Sequence, residues 1–149
     1  KDIVMIGFGT GIAPLRAFCQ WYYSLRMRGE KTGDIVLYFG ARTSSDENMY
    51  GFEMFMLRQM QASAGGAGPV VRLRQAFSRD DPKKKVYVQH LMEEDKSTIR
   101  DFLGPKRKGL LMLCGPVRPV DGACAVVEKL CGISSDALAS EGRLLVESY

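Results

Sequence analysis

The sequence predicts an α/β domain: an open, mainly parallel sheet of five strands with helices on both faces. Three observations carry that expectation. Five short runs rich in Val, Ile, Leu and aromatic residues recur along the 149 residues. Stretches of helical periodicity separate them, and parallel strands need such crossover connections. The first run ends in a turn that holds Gly7, Gly9, Gly11 and Pro14, where a strand should give way to a helix.

The elements follow in order. "DIVMIG" (2–7) reads as the first strand, and "PLRAFCQWYYSLRMR" (14–28) as a helix with Pro14 at its first position and Gly29 beyond its end. "DIVLYFG" (34–40) is the second strand. "SDENMYGFEMFMLRQMQ" (45–61) opens with a capping residue and acids, then places Met and aromatic residues at helical spacing, a pattern that fills a core. "ASAGGAG" (62–68) reads as a flexible connector to the third strand, "PVVRLRQAF" (69–77). After the charged loop "RDDPKKK" (79–85), one helix is expected over 85–103, then a strand at "GLLMLCG" (109–115). A helix over 120–132, a short capped helix over 134–142 and a last strand, "RLLVESY" (143–149), complete the set.

Composition bounds the function. The chain has the length of one domain, with 46% hydrophobic and 26% charged residues. No run approaches the eighteen or so apolar residues of a membrane-spanning helix. The net charge of +4 is modest and its basic residues are scattered, apart from "KKK" at 83–85 and "PKRK" at 105–108, which argues against nucleic acid and for a local anionic ligand. Cys19, Cys114, Cys124 and Cys131 form no C-x-x-C pair and no metal spacing with His90, the one histidine, so no metal site is expected. The cysteines are expected to be reduced and the protein intracellular, either cytoplasmic or held at a membrane through a segment outside this chain. A strand under way at Lys1 is expected to mark a piece of a longer polypeptide.

A glycine-rich first turn lets backbone amides approach a pyrophosphate at a helix N-terminus, beyond the carboxyl ends of the strands. Any tight strand-to-helix turn also selects glycine. The pattern here departs from the usual dinucleotide fingerprint: Pro14 lies in the turn region, and strand two ends in "GAR" where an acid for a ribose hydroxyl would stand. An arginine there suggests an additional phosphate. "GFGTGIAPLRAF" (7–18) resembles the G-x-G-T-G-x-A-P-x-R-x-F signature of the ferredoxin-NADP reductase superfamily. "YFGARTSSDENMY", "AFSRDDPKKKVYVQHLM", "LMLCGP" and "GRLLVESY" are similar, in order and spacing, to the NADPH-binding half of the diflavin reductases, the group of NADPH-cytochrome P-450 reductase and the sulfite reductase flavoprotein.

The resemblance spans residues 1–149 as one NADP(H)-binding domain with a Rossmann-like sheet. It implies that Gly9, Thr10 and Gly11 meet the nicotinamide or pyrophosphate region and Arg42 a phosphate. It implies a 2′-phosphate site of Ser78, Arg79, Lys85, Tyr87 and Gln89, with Arg118 near the adenosine end and Lys83 and Lys84 left in solvent. A guanidinium, an ammonium and hydroxyls suit a localised anion, each contact contributing roughly 1.5–3 kcal/mol. Cys114 is implied beside the nicotinamide ring, Glu147 as the carboxylate facing its developing positive charge, and Tyr149 as the aromatic that shields a flavin. Gly115 is followed by Pro116, where several diflavin reductases have an acid. The implied function is binding NADPH for hydride transfer to FAD and onward electron transfer to a haemoprotein or another acceptor protein. FAD would be held mainly by a flavin-binding barrel of the same polypeptide, absent from this chain, with an FMN domain as a further expected partner. The isolated piece is expected to be inactive. A non-catalytic NADP-binding regulatory module remains open, as does a thiol redox protein, which the cysteine spacing disfavours.

Overall fold

The computed structural model describes residues 1–62 and 71–149. Strands β1 (Ile3–Phe8), β2 (Ile35–Ala41), β3 (Val71–Phe77), β4 (Leu110–Gly115) and β5 (Leu144–Ser148) form one five-stranded sheet in the order β3-β2-β1-β4-β5. Every neighbouring pair is parallel, with Ile3 opposite both Ile35 and Leu110. Helices α1 (Ile12–Met27), α2 (Glu47–Ala62), α3 (Val88–Glu94), α4 (Lys96–Leu103), α5 (Val117–Cys131) and α6 (Ser135–Ser140) connect or flank the strands. The expected α/β sheet is the one observed.

Two-residue alternation divides the core between the two faces. Ile3 and Met5 of β1, with Ile35, Leu37 and Phe39 of β2, pack against Ile12, Leu15, Cys19 and Tyr22 of α1 and Met54, Leu57 and Met60 of α2. Val4, Ile6, Val36 and Tyr38 point the other way, onto α3, α4 and α5. Met54 and Met60 of α2 are core residues, with Met56 packed partly buried against them, as their spacing predicts. Among the described residues no helix is long and apolar enough to cross a membrane.

Three boundaries differ from the sequence reading, each for a physical reason. A short 3-10 turn at Gly9–Gly11 leads into α1, so Pro14 stands at the third helical position instead of the first. No intrahelical partner exists for the first four N–H groups, so the missing donor costs nothing there. The expected single helix at 85–103 is two helices, with 85–87 leading in outside helix. The break falls at Asp95 (φ −95°, ψ 19°). There the Asp95 carboxylate accepts hydrogen bonds from the Tyr38 hydroxyl and from Arg74 Nε, both at 3.0 Å. Burial and the adjoining Asp95 push the Tyr38 phenol up, so it remains a donor. Lastly, α5 begins at Val117, directly after Pro116, three residues before the expected start. The expected connector at 62–68 lies, from residue 63, outside the described residues, as do residues 69 and 70 of the expected third strand.

Arg143 closes the far end of the sheet. Its side chain is 4% exposed, and the guanidinium donates to the carbonyls of Gly109 and Leu103 and to the Glu141 carboxylate. All four cysteines are free.

The Asp95 corner yields a test. Asp95→Ala leaves the fully buried Tyr38 hydroxyl without its acceptor and is expected to cost about 1–3 kcal/mol. Glu94→Ala removes only the exposed partner of Arg74 and is expected to cost about 0–1 kcal/mol. Urea unfolding of the two variants reads the difference.

Candidate dinucleotide site

The chain leaves β1 towards β2 and leaves β4 towards β5, so the two central strands mark the point at which the sheet reverses its winding. In open parallel sheets the crevice beyond the carboxyl ends at this point takes the ligand. Gly9 and Gly11 shape it. Gly9 has φ +55°, a left-handed conformation, and Gly11 passes so close to β4 that a Cβ would lie 2.2 Å from the Cys114 carbonyl oxygen.

The Gly9–Gly11 turn divides the crevice into two depressions. The larger, about 750 Å³, lies on the β2–β3 side and is lined by Phe8, Gly9, Arg42, Tyr50, Ser78, Tyr87, Gln89, Pro116 and Arg118, among others. The smaller, about 560 Å³, lies on the β5 side and is lined by Thr10, Gly11, Pro14, Cys114 and residues 146–149. The sequence-predicted residues are therefore sorted by the fold into two groups. Arg79 and Lys85 line neither depression; both are exposed on the loop that follows β3.

Electrostatics favour an anion in the larger groove. Arg42 and Arg118 are exposed and their guanidinium groups have no partner among the described residues, whereas the bracing arginines Arg74, Arg107 and Arg143 are each ion-paired. Pairing continues past β2 and β3: Ser78 N–H donates to Ala41 O at 3.1 Å, and Arg79 N–H to Arg42 O at 2.7 Å. That keeps the bases of two arginines side by side at the groove's rim. Neither α1 nor α5 carries an acid in its first turn, so the positive ends of both helices face the crevice uncompensated.

The smaller depression is chemically different. Parallel register sets Glu147 directly opposite Cys114. Burial, and then the Glu147 charge, push the Cys114 thiol up, so it is held protonated at neutral pH. Over this floor the Tyr149 hydroxyl is hydrogen-bonded to Thr10 Oγ1. The Tyr149 backbone is fixed on both sides: its N–H donates to Gly115 O at 3.2 Å and its carbonyl accepts from Val117 N–H at 3.3 Å. The ring itself is 63% exposed.

Against known proteins, the model of the oxidoreductase NAD-binding domain matches residues 5–125. The chain belongs to this family. It is 36% identical over its whole length to the probable sulfite reductase [NADPH] flavoprotein component of Schizosaccharomyces pombe, of which it spans 14%. It is 40% identical, over 78% of its length, to the NADPH–cytochrome P450 reductase of Drosophila melanogaster, of which it spans 16%. A further relative is the mitochondrial pyruvate dehydrogenase [NADP(+)] of Euglena gracilis, 37% identical over 95% of the chain and 7% of that protein. These matches agree with the diflavin-reductase resemblance drawn from the motifs. The chain thus spans less than a sixth of the sulfite reductase relative.

Several residues of the oxidoreductase domain's crevice escaped the sequence reading. Phe8 ends a buried strand, and Tyr50, edge-on to Phe39 at 5.6 Å, falls in the helical pattern of core aromatics. Nothing in their spacing separates groove from core. Pro116 and Pro119 enter the groove because α5 starts three residues early.

The thiol gives a direct check on the smaller depression. Peptide-resolved iodoacetamide labelling is expected to be slower at Cys114 than at an unhindered thiol and to rise with pH. Glu147→Gln removes the second of its two causes and is expected to speed labelling of Cys114 at fixed pH while leaving Cys19 unchanged, whose thiol burial pushes up to about 12.

Proposed function

We propose that the chain is the NADPH-binding domain of a flavin-dependent reductase and that the divided crevice holds the two halves of the dinucleotide on either side of the Gly9–Gly11 turn. The observation that carries this reading is the sorting of the predicted residues: arginines without a partner among the described residues, together with hydroxyls, on one side, and a protonated thiol facing a carboxylate on the other. Residues and depressions of these kinds fit a nucleotide with one extra phosphate at its adenosine end.

In this reading Arg42, Ser78, Tyr87, Gln89 and Arg118 hold the adenosine end, with Arg79 and Lys85 closing on the 2′-phosphate from the neighbouring loop. The turn at Gly9–Gly11 and the N-terminus of α1 receive the pyrophosphate. When bound, NADPH supplies the hydride, and FAD held mainly by another domain of the polypeptide accepts it. Cys114 offers a neutral, polarisable wall to the ring. The Glu147 carboxylate lies where positive charge develops, and so favours the charge-bearing arrangement. Tyr149 covers the site and must give up its bond to Thr10 before the nicotinamide can enter, which makes its displacement a gating step.

Leu145, Val146 and Tyr149 leave an exposed apolar rim beside the smaller depression, which supports coverage by a flavin domain of the same polypeptide. An FMN domain and an electron-accepting protein, haem-containing or otherwise, complete the proposed partners. The relatives' much greater length supports additional domains.

Calorimetric titration with NADP and NAD at matched ionic strength tests the proposal. Tighter binding of NADP is expected, with Arg79→Ala weakening NADP roughly tenfold to a hundredfold, the worth of one charge-assisted hydrogen bond, and leaving NAD unaffected. Equal affinities for the two nucleotides in the unaltered protein would contradict it.

A further inference from the structure

Tyr87 forms part of the wall of the larger groove, yet its ring is 45% exposed and is not seated in the core. What fixes it is His90, three residues on. The Tyr87 N–H donates to His90 Nδ1 at 3.0 Å, and the His90 N–H donates to the Tyr87 carbonyl at 3.0 Å. The two rings also face each other, their centroids 5.6 Å apart and their planes inclined by 48°. Tyr87 is thus gripped at both of its peptide groups and at its ring by one side chain and its backbone.

His90 is itself anchored. Val88 and Leu91, on the inward side of α3, are buried in the core against β2 and α5, so the first turn of the helix cannot shift as a unit. His90 stands at the third helical position, where Glu or Gln commonly reaches back to an otherwise unpaired N–H. Histidine performs that acceptor role and adds an aromatic ring, which Glu and Gln lack. Because Nδ1 accepts, the proton of the neutral ring sits on Nε2.

We infer that His90 is a positioning residue for the dinucleotide: it fixes Tyr87 in the wall of the groove before the adenosine end arrives. A restrained wall loses less freedom when the nucleotide binds, and that saving appears as affinity. The inference rests on the reading of the larger groove as the adenosine site, and goes beyond it by assigning a role to a residue outside the lining.

Two variants of the 149-residue chain, His90→Leu and His90→Asn, test it. Asn retains an acceptor for the Tyr87 N–H; Leu does not. In the free protein, hydrogen exchange at the Tyr87 amide, followed by NMR, is expected to accelerate in His90→Leu and to be restored in His90→Asn. In calorimetry, His90→Leu is expected to weaken NADP about twofold to tenfold, the scale of one net hydrogen bond, with most of that loss recovered in His90→Asn. Unchanged Tyr87 exchange in His90→Leu would overturn the grip. Accelerated exchange with unchanged NADP affinity would overturn its consequence for binding. A wild-type chain that binds no NADP would strike the nucleotide reading instead, while the exchange measurement would still decide whether His90 holds Tyr87.

Discussion

The turn after β1 has to pass against the end of β4, and at Gly11 it does so at a distance that admits no side chain. That approach determines much of the crevice. It brings the N-terminus of α1 to the centre of the sheet, and places Thr10 where it can meet Tyr149, 139 residues further along the chain. Gly9, in its left-handed conformation, turns the backbone so that one residue of the motif lines the larger groove and the next two line the smaller one. A bulkier turn would push α1 away from β4 and open the partition between the two depressions. The glycines are therefore a packing requirement in their own right, and the same close approach serves the pyrophosphate position of the proposed reading.

The two sides of the partition are built on opposite electrostatic lines. On the β2–β3 side, Arg42 and Arg118 have no side-chain partner among the described residues, while the arginines that brace the fold are neutralised within it. Arg74 gives its charge to Asp95 and Glu94, Arg107 to Asp2 and Asp101, and Arg143 to Glu141. On the β5 side, Glu147 is the charged side chain among the described residues lining the depression, and its neighbour is a thiol kept neutral by burial and by that same charge. This arrangement suits the anion and the developing positive charge that the proposed reading assigns to the first and second sides. A dinucleotide whose adenosine end carries extra phosphate, and whose other end becomes positive on oxidation, matches both.

Much of this was legible in the sequence because it is local. The five strands, the side-chain alternation within them and the glycine turn are properties of short windows, and the motifs kept their order along the whole chain. What escaped depends on contacts between distant residues. The break of the expected helix at Asp95 is set by Tyr38 and Arg74, 57 and 21 residues away, and periodicity cannot see them. Tyr50 and Phe8 look like core residues because they are apolar residues at core spacing; only the way the sheet ends leaves them facing the groove. Arg79 and Lys85 share motif register with Ser78 and Tyr87 but stand on the loop beside the lining, from where the proposed reading has them close on the 2′-phosphate.

The most direct measurement is an NMR titration of the isotopically labelled chain with each half of the dinucleotide separately: adenosine 2′,5′-bisphosphate and nicotinamide mononucleotide. A divided crevice predicts that the first shifts the amides of Arg42, Ser78, Arg79 and residues 85–89, the second those of Thr10, Cys114 and Glu147, with both reaching the Gly9–Gly11 turn. Overlapping responses on one side of the turn, or shifts confined to the opposite edge of the sheet, would contradict the division of the crevice into two unlike subsites.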